Sequence, residues 1–281
     1  MKKWLKITLW VAGILIIGFV GLISVFIYKV KYGFPVSYET EAPELTIPSN
    51  KTSILLFSKT TGFRHGESIE AGKEVFADLA ASKGWYLYPT EEGGVFNTDQ
   101  LTQFDVVVFN NCTGRLLDDE QRLALQQYVE GGGKLVGIHG AGDDSHRWDW
   151  YTNNLLGTTF SHHAMDPQIQ ETRVMVEQTS DSLASASLPS QWTQSDEWYV
   201  FYDNPRAKGF NILCTINGDN IVSSGNVLWI KSKGFGMGAD HPVAWYKEVG
   251  RGRTCYTSMG HHAAVWDQEP FVQMLVNFVG L

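Results

Sequence analysis

Beyond residue 52 the chain alternates short apolar runs with amphipathic stretches, the pattern of strands and helices in turn. Ser53 to Ser58 is an apolar run of buried-strand type. Glu67 to Lys83 spaces Ile69, Lys73, Phe76 and Leu79-Ala80 at roughly helical intervals and meets Gly84, which predicts a helix and its stop. Trp85 to Tyr88 reads as a second strand. Asp105 to Phe109 reads as a third, of the unbroken apolar kind found in parallel sheets covered on both faces. Asp118 to Glu130 is a helix with acid at its positive end, and Lys134 to Ile138 is the next strand. Further on, Gln170 to Val176, Phe210 to Thr215, Val243 to Val249 and Arg253 to Ser258 read as strands, with Glu269 to Val279 a closing helix. Long Gly-, Ser- and Trp-rich loops lie between them. The alternation predicts an α/β class domain with a doubly wound, mostly parallel sheet.

The first 50 residues follow another pattern. Ile7 to Tyr28 is uncharged for 22 residues, with Lys2, Lys3 and Lys6 before it and Lys29 and Lys31 after it. A bilayer-spanning helix needs about 20 residues. A cleaved signal peptide has a shorter apolar core of about 7–15 residues, and no A-x-A site follows Tyr28. The expectation is a cytoplasmic amino terminus over 1–6, a single transmembrane anchor over 7–28, a stalk over 29–51 and one domain over 52–281. The lysine bias places that domain outside, periplasmic or extracellular. From Gly33 onward 17 Lys and Arg stand against 30 acidic residues, a formal charge of −13. A domain that acidic is a poor partner for nucleic acid. The sequence leaves the oligomeric state open.

Candidate chemistry centres on Gly137-Ile138-His139-Gly140-Ala141. A strand that ends between small residues ahead of a helix is the setting of a nucleophile elbow, and here histidine holds the nucleophile's place. Ligands in open α/β sheets bind beyond the carboxyl ends of the strands. The segments there are KTTGFRHG, NNCTGR, HGAGDDSHRW and MGHHAAVW, and three of the four carry histidine. His139, His65 and His261, with Glu197 in SDEWYVF, are the candidate catalytic groups, because imidazole exchanges protons near neutrality. The same donors suit a divalent ion, although no pair has the i, i+4 spacing of a metalloprotease. Within His162-His163 and His261-His262, adjacent residues of an extended segment point opposite ways, so one of each pair faces a pocket. Each reading has a plainer rival: His65 as a helix cap, His241 as an exposed turn residue, Glu197 as a surface partner of Arg206, most tryptophans as core. Cys112, Cys214 and Cys255 form no CxxC pair, and nothing near Cys112 marks an activated thiolate.

The strand leading to Gly62-Phe63-Arg64-His65 and the Gly131 to Gly142 segment resemble the ThuA-like (trehalose-utilisation) family. So do Asp196-Glu197-Trp198-Tyr199, His241-Pro242-Val243-Ala244-Trp245 and the Gly252 to His261 stretch. The similarity covers about Ser53 to Leu281. It implies a class I glutamine amidotransferase-like (flavodoxin-like) fold from which the amidotransferase cysteine is absent and in which histidine occupies the elbow, so the chain is not expected to be a glutamine amidotransferase. It also implies a carbohydrate partner, a disaccharide or 3-keto-glycoside. The resulting expectation is a membrane-tethered enzyme, a glycoside hydrolase or lyase using histidine acid/base chemistry. Arg64, His163, Trp198 and Trp245 are the candidate substrate-binding residues, and Trp148, Trp150, Trp192, Trp229 and Trp266 are further rings that could stack on sugar. No cofactor is implied beyond the divalent ion that the histidines leave open. The alternatives are a non-catalytic sugar-binding module and a metal-dependent hydrolase.

Overall fold

The computed structural model describes residues 2–34, 37–179, 181–226 and 230–281. The amino-terminal apolar segment is one exposed helix, α1 (Lys2–Tyr32), whose most apolar 18 residues have a mean hydropathy of 2.6. It is long and apolar enough to cross a membrane, a test that a signal sequence also passes. It runs four residues past Tyr28, because nothing from Lys29 to Tyr32 breaks a helix.

The segment after it, read as a stalk, lies against the domain instead. Glu39 pairs with Lys59 and accepts a hydrogen bond from the Gly93 N–H at 3.1 Å. Gln121 Nε2 donates to the Glu39 carbonyl at 2.6 Å, and Gln100 Nε2 to that of Pro43 at 3.1 Å. Leu45 and Ile47, two residues apart and so on one side of an extended chain, pack on the core. The end of α1 meets the loops that carry the histidines. The Arg147 guanidinium sits 4.0 Å over the Tyr32 ring, and Phe34 N–H donates to the Thr61 carbonyl at 3.4 Å.

The domain begins with β1 (Ser53–Phe57), α2 (Gly66–Lys83), β2 (Tyr86–Thr90), α3 (Thr98–Leu101), β3 (Val106–Asn110), α4 (Asp119–Glu130) and β4 (Lys134–Ile138). Then follow α5 (Asp149–Tyr151), β5 (Phe160–His163), β6 (Gln170–Val176), β7 (Gln191–Asp196), β8 (Tyr199–Phe201) and β9 (Asn211–Ile216). The chain closes with β10 (His241–Val249), β11 (Gly252–Thr257) and α6 (Glu269–Gly280). The main sheet runs β2-β1-β3-β4-β11-β10-β9-β6-β7, and β5 pairs with β8 separately. The first five strands are parallel and the last four alternate in direction, so the mostly parallel α/β expectation holds.

Burial on both faces explains the unbroken apolar runs. Ile54, Leu56, Val106 and Val108 point to one side, under Phe76 of α2 and Phe271, Met274 and Phe278 of α6. Leu55, Phe57, Val107 and Phe109 point to the other, under Leu101 of α3 and Leu125 and Val129 of α4. Helix α4 starts with a capping box, in which Gln121 N–H donates to Asp118 Oδ1 at 2.9 Å and Asp118 N–H to Gln121 Oε1 at 3.0 Å. Strands β5, β7 and β8 were not expected. β7 (QWTQSD) is mostly polar, and β5 and β8 are too short to show a period.

Candidate active site

Strands β1, β3, β4 and β11 are parallel neighbours, so the loops after them open on one end of the sheet. His65 closes the loop after β1 and stands at the N-cap position of α2, where its side chain makes no capping hydrogen bond. His139 is the first residue beyond β4 and has a φ of 44°, the left-handed backbone of a sharp turn. A single 3₁₀ turn, His139–Gly142, follows where a longer helix was expected from the elbow. Its glycines are there for space: a Cβ on Gly140 would lie 3.1 Å from His65 Nδ1, and one on Gly142 would overlap the Tyr256 hydroxyl. That hydroxyl donates to the His139 carbonyl at 2.9 Å.

Glu197 arrives from the far edge of the sheet, directly after β7. Four strand spacings of about 4.8 Å would hold β7 roughly 19 Å from β11 in a flat sheet. Register shifts between β9 and β10 bend the antiparallel half until the two ends touch. Asp196 clasps them together. It accepts the backbone N–H of Gly260 at 2.7 Å, that of Glu197 at 2.9 Å and that of His261 at 3.1 Å.

One nitrogen of His139 is thereby committed. Nδ1–H donates to the Ser258 carbonyl at 2.7 Å, which leaves a lone pair on Nε2 in the neutral ring. That atom lies 3.1 Å from His261 Nδ1 and 3.6 Å from Glu197 Oε1, and His261 Nδ1 is 3.3 Å from the same oxygen. The other oxygen, Glu197 Oε2, takes Gln168 Nε2 at 2.5 Å and His163 Nδ1 at 3.0 Å. His65 packs edge-on to both rings, with centroids 4.8 Å from His139 and 5.1 Å from His261. Its buried Nδ1 has no hydrogen-bond partner among the described residues. One ligand atom each from His65, His139, Glu197 and His261 falls within a mutual 4.8 Å.

The titration of the cluster reflects its crowding. Burial works to raise Glu197, but the His139 and His261 rings beside it and the charge on His163 hold it well below the usual carboxylate range. Burial pulls His261 down, and Glu197 more than reverses it, leaving it raised. Burial, then the like charges of His139 and His261, push His65 well below its ordinary value.

The substrate-binding candidates divide. His163 touches the cluster. Arg64 stands at the rim in a two-pronged pair with Glu91, at 2.8 and 3.0 Å. Trp198 and Trp245 are core residues rather than pocket walls: they are 2% and 0% exposed, with indole N–H groups donating to the carbonyls of Gln170 and Leu155. Trp192 and Trp266 are buried too, Trp148 and Trp150 stack on each other half-buried, and Trp229 lies outside the described residues. His241 is no turn residue. It is fully buried on β10, where Nε2–H donates to the Tyr199 carbonyl at 2.8 Å. Arg206 pairs with Glu177 and Asp240, not Glu197. His162 and His262 turn away from the cluster to the carbonyls of Ser223 and Ser195. Cys112 is buried and donates to the Phe57 carbonyl, and burial raises its thiol well above the ordinary value.

Sequence reading missed Asp196, Gln168 and Tyr199, whose ring centroid lies 4.3 Å from that of His139. Asp196 at least stood beside Glu197 in the same acidic pair; nothing in the sequence marked Gln168. A cavity of about 920 Å³ lies elsewhere. It lies at the amino ends of β3 and β4, lined by residues such as Lys51, Asp105, Gly133 and Arg251, and it contains no histidine. Convergent polar groups identify the site better than volume does.

A mixed, mostly parallel sheet covered by helices, with a histidine at the turn beyond β4, defines an α/β domain. The model of the ThuA (trehalose utilisation) family matches residues 53–279, and the chain belongs to that family. Solved structures agree on the fold. A ThuA-like protein from Bacteroides uniformis ATCC 8492 is 23% identical, with a TM-score of 0.67 over 88% of this chain and 95% of that one. A ThuA-like protein from Parabacteroides merdae ATCC 43184 is 15% identical, with a TM-score of 0.64 over 82% and 89%. A cytoplasmic protein from Salmonella typhimurium LT2 is 11% identical, with a TM-score of 0.54 over 81% and 98%. No protein of curated function matches the chain.

Proposed function

We propose that the protein is a membrane-tethered enzyme of carbohydrate catabolism, acting on a disaccharide or 3-keto-glycoside through histidine chemistry without a cysteine nucleophile. The observation that carries this reading is the convergence of His65, His139, Glu197 and His261 from four separate strand ends. Family membership supplies the link to sugars. The long apolar helix, with its lysines on both sides, supports a single-pass anchor and an outward-facing domain.

A ketone on the sugar ring acidifies the neighbouring C–H. A base that removes this proton lets the glycosidic C–O bond one carbon further on break by elimination, and the departing oxygen takes up a proton. His65 is placed for the base, since its buried Nδ1 has no partner among the described residues. His139, Glu197 and His261 sit together opposite it, where a carbonyl oxygen or a departing oxygen would need stabilising.

The test uses full-length protein purified in detergent, assayed on a 3-keto-glycoside and on its unoxidised parent. We expect turnover of the oxidised substrate only, falling about 100-fold or more in His65→Gln and His139→Ala. Unchanged rates in both variants would remove the cluster from the chemistry. Saccharide binding without turnover of any glycoside would favour a binding module instead.

A further inference from the structure

The geometry points to a divalent transition-metal site, of the kind zinc occupies, formed by His139 Nε2, His261 Nδ1 and Glu197 Oε1, with its remaining position open toward His65. The inference rests on the cluster assigned above and supplies its electrophile. Zinc binds imidazole nitrogen and carboxylate oxygen at about 2.0–2.2 Å, so two ligands of one tetrahedral ion stand about 3.3–3.6 Å apart. The three separations here are 3.1, 3.3 and 3.6 Å. The three atoms thus lie close to one face of a tetrahedron.

Hydrogen bonding alone accounts poorly for this triangle. With Nδ1–H of His139 given to the Ser258 carbonyl, Nε2 of the neutral ring is an acceptor. Glu197 Oε1 is an acceptor as well. His261 Nδ1 can carry at most one proton toward the two of them. Lone pairs that converge with too few protons between them are what a cation satisfies.

The surroundings are those of a metal centre. Metal-bound histidines typically give their other N–H to a carbonyl, as His139 does, and ligating carboxylates are themselves hydrogen-bonded, as Glu197 is by Gln168. Independently, His65 Nδ1 is buried, next to both rings, and has no hydrogen-bond partner among the described residues. Three protein ligands and an open fourth position are the pattern of catalytic rather than structural zinc. The open position would take a water or a sugar carbonyl oxygen.

The experiment needs no substrate. Full-length protein in detergent is stripped with a chelator and titrated with Co²⁺, followed by its visible absorption, and with Zn²⁺, followed by heat. We expect one ion per chain and a band characteristic of low-coordinate cobalt. Affinity should fall about 100-fold in Glu197→Gln and in His261→Gln and stay unchanged in His262→Gln, which removes the neighbouring histidine that faces away. No saturable binding to the wild type overturns the inference whatever the variants do. Stoichiometric binding that survives in folded Glu197→Gln and His261→Gln overturns it too. Turnover by metal-free protein would end the metal reading and leave the sugar reading standing, whereas an ion bound tightly without turnover would do the reverse.

Discussion

The two halves of the sheet make unequal contributions to the site. The parallel half, β2-β1-β3-β4-β11, places three histidines beyond the same ends of β1, β4 and β11, an arrangement that follows from strand direction alone. The antiparallel half, β10-β9-β6-β7, must bend back across several strand widths to deliver one carboxylate and its clasp. The parallel half is therefore a platform and the antiparallel half an adjustable arm. The lesson is that a site can depend most on the contact that topology does least to guarantee.

Breaking that contact should have the largest effect. Asp196→Asn takes a charged acceptor away from three backbone N–H groups and turns an amide donor toward them. We expect a stability loss of about 3 kcal/mol by urea unfolding, together with loss of cluster function. Wild-type stability in this variant would mean that the clasp does not hold the halves together.

A smaller effect is expected from the core of the arm. Burial lowers His241 from 6.5 to about 4, so the folded chain keeps it neutral where the unfolded chain takes up a proton. This contribution is complete above about pH 6.5 and is lost as pH falls toward 4. By pH 5 the loss amounts to roughly 1.5 pH units, or about 2 kcal/mol. Urea midpoints of His241→Gln should accordingly fall less between pH 7 and pH 5 than those of the wild type. Parallel curves for the two proteins would show that His241 titrates alike folded and unfolded.

The smallest effect belongs to the rim of the platform. The Arg64–Glu91 pair is exposed, so Arg64→Ala should cost less than about 1 kcal/mol of stability. A rise in KM without that loss would make Arg64 a substrate contact, and no change in either would leave it a surface ion pair.

Legibility followed the same division. The platform could be read because unbroken apolar runs such as Asp105 to Phe109 and stops such as Gly84 are local signals. His65, His139 and His261 were found because strand ends are where ligands bind. The arm was harder. β7 alternates polar residues around Trp192, and β8 is three residues long, so neither shows a period of its own. Glu197 was singled out by composition, yet its route to the site depends on bulges that no sequence pattern announces. Trp198 and Trp245 misled because a tryptophan that lines a pocket and one that fills a core are the same letter.

The docked segment after α1 has a bearing on how the domain meets its surroundings. Glu39 is fixed to the domain, so only residues 33–38 separate it from Tyr32, and seven steps of extended chain reach about 25 Å at most. On the reading of α1 as a bilayer anchor, this is a short tether that keeps the domain beside the end of the helix. The loops bearing His65 and His139, which touch the end of α1, would then face the thin layer of solvent against the membrane. Search would be confined to a plane, and a substrate held at that surface would be encountered at a far higher effective concentration than one free in bulk.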